Sequence, residues 1–202
     1  MSLKQWGAVL TGCAALLLTA CTVVDLDADG KPIIPADPNA KASFDNQTPQ
    51  QIAQQTWQSR VLNTATRHAL GSSELATQLK TLSSTPHSVF VRLTGKVEKV
   101  DSSNEREQKL VMIVNGQPLE IQSGPVIRGN AIRDAAGFRF EEFTNQVQFA
   151  QLSRAFNREA VTHLPKVDGS WNGKTASVVF AATLTNGKAD DAAALELKQE
   201  AP

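Results

Sequence analysis

Between Pro86 and Pro125 the chain alternates in a way that only a half-buried sheet explains. Val89, Val91, Leu93, Gly95 and Val97 interleave with Phe90, Arg92, Thr94, Lys96 and Glu98. A period of two sends one set to a core and the other to water, which predicts a strand. Residues 101–108 are polar and read as a loop. Residues 109–114 and 117–122 then flank Asn115-Gly116. That dipeptide supplies the two positive-φ positions of a type I′ turn, so a hairpin is expected. Gly124-Pro125 ends the run.

Helical signals surround this sheet. Thr48-Pro49-Gln50-Gln51 offers an N-cap, a first-turn proline and a reciprocal glutamine, as a capping box requires. Ile52, Ala53, Trp57, Val61 and Ala65 follow at helical spacing, predicting a helix that ends near Leu70 with Gly71 as its C-cap. Ser73-Glu74 opens a shorter helix carrying Leu75, Leu79 and Leu82 on one side. Phe149, Leu152, Phe156, Ala160 and Leu164 mark a long helix over 141–164, closed by Pro165. Residues 175–184 read as a last strand, with Ala176, Val178, Phe180, Ala182 and Leu184 on one face. Residues 185–202 read as a frayed tail. The expected fold is α+β: a curved antiparallel sheet closing toward a small OB-like barrel, with N-terminal helices and the long helix plugging one end.

The first 21 residues carry an address. Lys4 precedes an uncharged, mostly apolar stretch over 7–20. Its 14 residues make about 21 Å of helix, short of a bilayer core of about 30 Å, so a cleaved signal is expected over 1–20. The stretch ends in Leu18-Thr19-Ala20-Cys21, which resembles the lipobox of bacterial lipoproteins. That resemblance implies diacylglycerol on the Cys21 thiol, cleavage before it, and acylation of the new amine. Several acyl chains hold a protein firmly on a membrane. Thr22, where aspartate would signal inner-membrane retention, implies the outer membrane. The envelope, on the periplasmic face, is the expected location.

Processing leaves 182 residues with a charge near −1 and no free thiol. Near-neutral charge argues against nucleic acid as a partner. Residues 21–47 read as a lipid-anchored tether containing Pro32, Pro35 and Pro38, and residues 48–184 as one domain. Inside the tether, Asp25-Leu26-Asp27-Ala28-Asp29-Gly30 begins like a calcium loop, but position twelve is Ala36 where a bidentate glutamate is needed. An Asx-type turn explains the run.

Two blocks are distinctive: residues 121–134, Ile-Gln-Ser-Gly-Pro-Val-Ile-Arg-Gly-Asn-Ala-Ile-Arg-Asp, and residues 143–150, Phe-Thr-Asn-Gln-Val-Gln-Phe-Ala. Together they resemble DUF2291, a family of predicted bacterial periplasmic lipoproteins. Trp57-Gln58-Ser59-Arg60-Val61 resembles that family's Trp-x-Ser-Lys-Val element, with Arg60 replacing lysine. Ala136-Gly137 departs from the Leu-Pro that members tend to carry. The resemblance spans residues 22–184. Members often lie beside sugar ABC-transporter genes, which implies a role near solute uptake and a protein partner there.

The strongest candidate site is 124–134. Arg128 and Arg133 have forks suited to a carboxylate, phosphate or sugar hydroxyls, and Asn130 is placed to cap a short helix. Alternatively the glycines and proline set a turn while Arg133 and Asp134 pair internally. Asn145 and Gln146 begin the long helix in an apolar stretch; buried amides there would read a ligand or satisfy carbonyls of 124–134. Trp57 belongs to the core stripe more readily than to a sugar platform. His68, His87 and His163 have no metal-ligand spacing. The adjacent Glu141 and Glu142 make a poor catalytic pair. No nucleophile elbow, zincin, Walker or dinucleotide motif occurs. The expectation is a non-enzymatic binding or accessory module without a cofactor or metal. The alternatives are a small polar or anionic ligand binder, less readily a hydrolase, using Arg128, Arg133 and Asn145, and a structural envelope lipoprotein.

Overall fold

The computed structural model describes residue 44 and residues 46–200 apart from 82, 115 and 144. The signal over 1–20, Cys21, Thr22 and the acidic run at 25–30 lie outside the described residues, as does all of the tether before Phe44.

Five strands close into a barrel: β1 (His87–Asp101), β2 (Glu107–Val114), β3 (Gln117–Pro125), β4 (Thr175–Thr185) and β5 (Lys188–Gln199). Their order around the barrel is β1-β2-β3-β5-β4. β1 is long because it serves two neighbours. It pairs with β4 from His87 to Lys96 and with β2 from Val97 to Asp101, with a register shift between Val97 and Lys99. β2 and β3 form the expected hairpin, with Gly116 at φ 77°. β3 and β5 are parallel and meet at one pair, Gln122 with Ala193.

The alternation of β1 resolves into two cores. Val91, Leu93 and Val97 point into the barrel with Leu110, Met112, Ile121, Val178 and Phe180. Phe90 points outward into a second, helical core. The barrel interior is completed by Leu75 from α3 (Ser72–Lys80), and by Val167 and Trp171 from the connection into β4. The long helix α5 (Gln146–His163) does not plug the barrel. Its Leu152, Ala155, Phe156 and Ala160 lie on the outer surface, against Ile52, Ala53, Trp57 and Val61 and against Val179, Ala181, Ala193 and Leu195 of the sheet.

Residues 188–199 are not a tail: they are β5, and they close the barrel. Ala192, Ala194 and Leu197 face inward while Ala193 and Leu195 face the helices. Burial on both faces removes the alternation that would have announced a strand. The turn was nonetheless written in Asn186-Gly187, whose φ angles of 49° and 76° are those of a type I′ hairpin. β4 is therefore the penultimate strand.

The N-terminal helix is also not simple. The capping box at Thr48 forms, with Gln51 N–H donating to Thr48 Oγ1 at 3.2 Å and Thr48 N–H donating to Gln51 Oε1 at 2.9 Å. α1 (Pro49–Thr56) then runs into a π-helical segment (Trp57–Leu62) and on into α2 (Asn63–His68). The buried stripe Ala53, Trp57, Val61, Ala65 advances four residues at a time. An α-helix repeats every ~3.6 residues, so such a stripe drifts around the axis, and one wider π turn brings it back. Gly71 is not a C-cap. It precedes α3, and its N–H donates to Glu74 Oε2 at 2.8 Å. Leu70 leaves the helix to bond β1, donating to the Phe90 carbonyl and accepting from Arg92 N–H.

α5 starts at Gln146 rather than at 141. Residues Phe140–Glu142 form a single 3-10 turn, and Phe143 is extended at φ −127° and ψ 137°. No helix among the described residues is long and apolar enough to cross a membrane.

Candidate functional site

Upstream of the Gln122–Ala193 pair, β3 and β5 separate, and an open groove of about 770 Å³ lies between them. Leu75, Leu79 and Leu119 supply apolar lining. One wall carries Glu107, Lys109, Glu120 and Arg128; the other carries Lys188, Asp190 and Asp191.

The first wall is electrically closed on itself. Lys109 Nζ lies 2.7 Å from Glu120 Oε2, and this hydrogen bond holds the lysine above its ordinary range. Arg128 donates to Glu107 Oε1 at 2.6 Å, with its side chain 72% exposed. The opposite wall differs. Partial desolvation, and secondarily the charge of Asp190, push the Asp191 carboxyl above its ordinary value. Asp191 sits in the left-handed region at φ 53°, where β5 bulges against β4.

The segment from Val126 to Gly129 is pinned from three sides. Arg128 N–H donates to Gln122 Oε1 at 2.8 Å, and Gln122 Nε2 returns a bond to the Arg128 carbonyl at 3.1 Å. Val126 N–H donates to the Arg106 carbonyl. Asn157 Nδ2 donates to the Gly129 carbonyl at 3.0 Å from a buried position on α5. Asn157 and Gln122 are the organising residues that sequence reasoning passed over. A signal existed for Asn157: an amide next to Phe156 in the apolar stripe of α5.

Of the residues expected to form a site, Arg128 alone lines this groove. Arg133 is spent inside the molecule. Its Nε donates to Asp134 Oδ1 at 2.8 Å, its Nη1 donates to the Phe149 carbonyl at 3.2 Å, and its guanidinium lies 4.0 Å from the Phe149 ring centroid. Asn130 holds the cap position of α4 (Ala131–Ala135), but its side chain makes no capping bond there. Asn145 and Gln146 are exposed rather than buried. Asn145 Oδ1 caps α5, accepting from Val147 N–H at 2.8 Å, and does not satisfy carbonyls of 124–134. Asn157 does that instead.

Trp57 is core. It stacks on His163 at 5.1 Å and 7°, and its Nε1 is buried without a hydrogen-bond partner. Arg60 bridges helix to loop: it donates to Glu142 Oε2 at 2.7 Å and to the Gly137 carbonyl at 2.8 Å, over the Phe138 ring at 3.6 Å. Among the described residues no three His, Cys, Asp or Glu side chains are grouped to hold a metal.

A closed five-stranded barrel in this order, with one parallel contact between β3 and β5, is an OB-fold. The chain is similar in structure to an OB-fold protein from Thermotoga maritima, with a TM-score of 0.54 and 14% identity, over 75% of this chain and 98% of that one. That likeness speaks for the fold alone. A family model described as predicted periplasmic lipoprotein (DUF2291) matches residues 11–196, and the chain belongs to this family. The family description agrees with the lipobox at Cys21 and places the protein in the envelope, anchored to a membrane. Comparison with curated proteins finds no significant match.

Proposed function

We propose that this protein is a non-enzymatic accessory lipoprotein. Acyl chains on Cys21 hold it on the periplasmic face of a membrane, and its barrel engages a protein of a solute uptake system, of the carbohydrate ABC type. Thr22 after the cysteine favours the outer membrane. The observation that carries the accessory reading is the groove wall on which Lys109–Glu120 and Arg128–Glu107 neutralise one another. Paired rim charges of this kind set register and specificity in a protein contact and add little raw affinity. The test is affinity purification of the lipidated protein from solubilised membranes after cross-linking. Enrichment of a transporter or solute-binding subunit supports the reading, and recovery without any such subunit counts against it.

A second reading has its own observation. A volume of about 770 Å³ falls within the usual range for small-molecule sites, and Arg128 at its rim is well exposed. This favours a small polar or anionic ligand. A thermal-shift screen with sugars, sugar acids and phosphates separates the two readings. A shift abolished by Arg128→Ala supports the ligand; no shift with any compound removes it.

A further inference from the structure

Among the described residues four large apolar side chains are exposed: Ile113 (50%), Val126 (38%), Phe140 (47%) and Val147 (60%). Single exposed apolar residues are ordinary on a protein surface. Two of these four, however, fall within eight residues of one another, at the entry to α5. The same place receives the chain from its N-terminal side. Phe44, where the described residues begin, stacks on Phe143 at 5.2 Å. Phe143 packs on Phe149, and Phe149 meets the exposed Phe140 edge-on at 5.9 Å. Gln148, next to Val147, donates to the carbonyls of Phe44 and Gln47 at 3.0 and 2.6 Å. The arriving chain is thus bolted to the first turn of α5, the turn that carries Val147, and through Phe143 and Phe149 it is linked to Phe140.

We propose that this end of the domain, with Phe140 and Val147 foremost, lies on the lipid surface that carries the protein's own anchor. The inference rests on the lipid-anchor reading of Cys21. Twenty-two residues, 22–43, separate Cys21 from Phe44. Fully extended they reach at most about 75–80 Å, so the tether does not force contact. It does keep the bilayer at high effective concentration around the point where the chain enters the domain, so even a weak apolar contact is favoured. Phe140 and Val147 supply apolar area. Arg139 and Glu141 flank Phe140 and are exposed; the arginine's long stem lets it rest on apolar surface with its charge at the headgroups. The carboxylate of Glu141 opposes close approach to anionic lipid, so zwitterionic lipid suffices as the partner.

The test uses the full lipidated protein in zwitterionic phosphatidylethanolamine–phosphatidylcholine vesicles. Acylation consumes the Cys21 thiol, and Cys13 leaves with the signal, so an introduced cysteine is the only free thiol. Phe140→Cys, Val147→Cys and Ile113→Cys are labelled with an environment-sensitive dye and quenched with brominated lipid. Circular dichroism melts matching the unsubstituted protein verify folding; should one of the first two variants melt early, the other carries the measurement. The expected result is quenching about threefold stronger, or more, at 140 and 147 than at 113. Protein that enters vesicles but shows equal, solvent-like emission at all three positions overturns this proposal and leaves the anchor reading standing. Labels that become buried in native membranes but not in lipid vesicles also overturn it, because the face then binds a protein. Protein that does not partition into membranes at all overturns both.

Discussion

Gly129 and Asp191 touch where almost nothing else fits. A Cβ built on Gly129 would lie 2.6 Å from Asp191 Cγ, and both residues have positive φ, 95° and 53°. The contact joins the loop after β3 to the bulge of β5, on either side of the groove's closed end. Gly129→Ala therefore meets two penalties, a left-handed backbone and a steric clash. The expected loss is about 2 kcal/mol, a Tm drop of roughly 4–8 °C. Combining it with Asp191→Gly should restore part of that loss, as thermal melts of the single and double variants will show.

Asp191 also sets a pH dependence. Its carboxyl is raised above its ordinary value, first by partial desolvation and then by Asp190. The folded state therefore holds the proton more tightly than the unfolded chain. Stability is highest below the unfolded pKa and falls as pH rises through the folded value. Asp191→Asn, which tolerates the left-handed backbone, should stabilise the protein at neutral pH. The gain should vanish in acid below the ordinary carboxylate range. Urea melts across pH 3–7 check the trend; a gain independent of pH refutes the cause.

Asn157 is buried and spends a donor on the Gly129 carbonyl at 3.0 Å. Asn157→Ala leaves that carbonyl without its partner, and should cost about 1–3 kcal/mol. Asn157→Asp should cost more, because it replaces the donor with a buried charge facing a carbonyl. Denaturant titration of both variants tests the order.

Arg60 uses its fork fully, on Glu142, on Gly137 and over Phe138. A lysine keeps the charge and loses the bidentate geometry. Arg60→Lys should cost about 1 kcal/mol and Arg60→Ala about 2 kcal/mol. Melting temperatures of the two variants, at low and at raised salt, check this.

Truncation after Thr185 removes β5, with Ala192, Ala193, Ala194, Leu195 and Leu197 from the two cores. The remaining chain leaves β3 and β4 as open edges and should not fold cooperatively. Truncation after Glu200, which keeps its N–H bond to the Thr175 carbonyl, should leave the melt unchanged. Circular dichroism of the two truncations separates the cases.

β1 was legible because Arg92, Thr94 and Lys96 keep one face wet between the buried Val91, Leu93 and Val97, and the β2–β3 hairpin because Asn115-Gly116 is turn chemistry. The capping box at Thr48 was legible for the same local reason. β5 was not, because Ala192 to Leu195 are buried on both sides and alternation disappears; only Asn186-Gly187 hinted at it. The candidate site divided similarly. Within 124–134, Arg128 lines the groove. Arg133 and Asn145 were chosen for chemistry that their neighbours consume, Arg133 with Asp134 and Phe149, Asn145 with the first turn of α5.

By itself the sequence determined the periplasmic lipoprotein family, the sheet-forming middle of the chain, and the helical stripe from Ile52 to Ala65. Each depends on residues near one another in the chain: periodicity, caps and turns. Only the tertiary structure decided that the barrel closes through β5, that α5 lies outside it, and that Asn157 rather than Asn145 holds the loop at Gly129. Those outcomes depend on which distant surfaces meet. A buried polar group takes the partner that packing brings to it, and chain order does not record which one that will be.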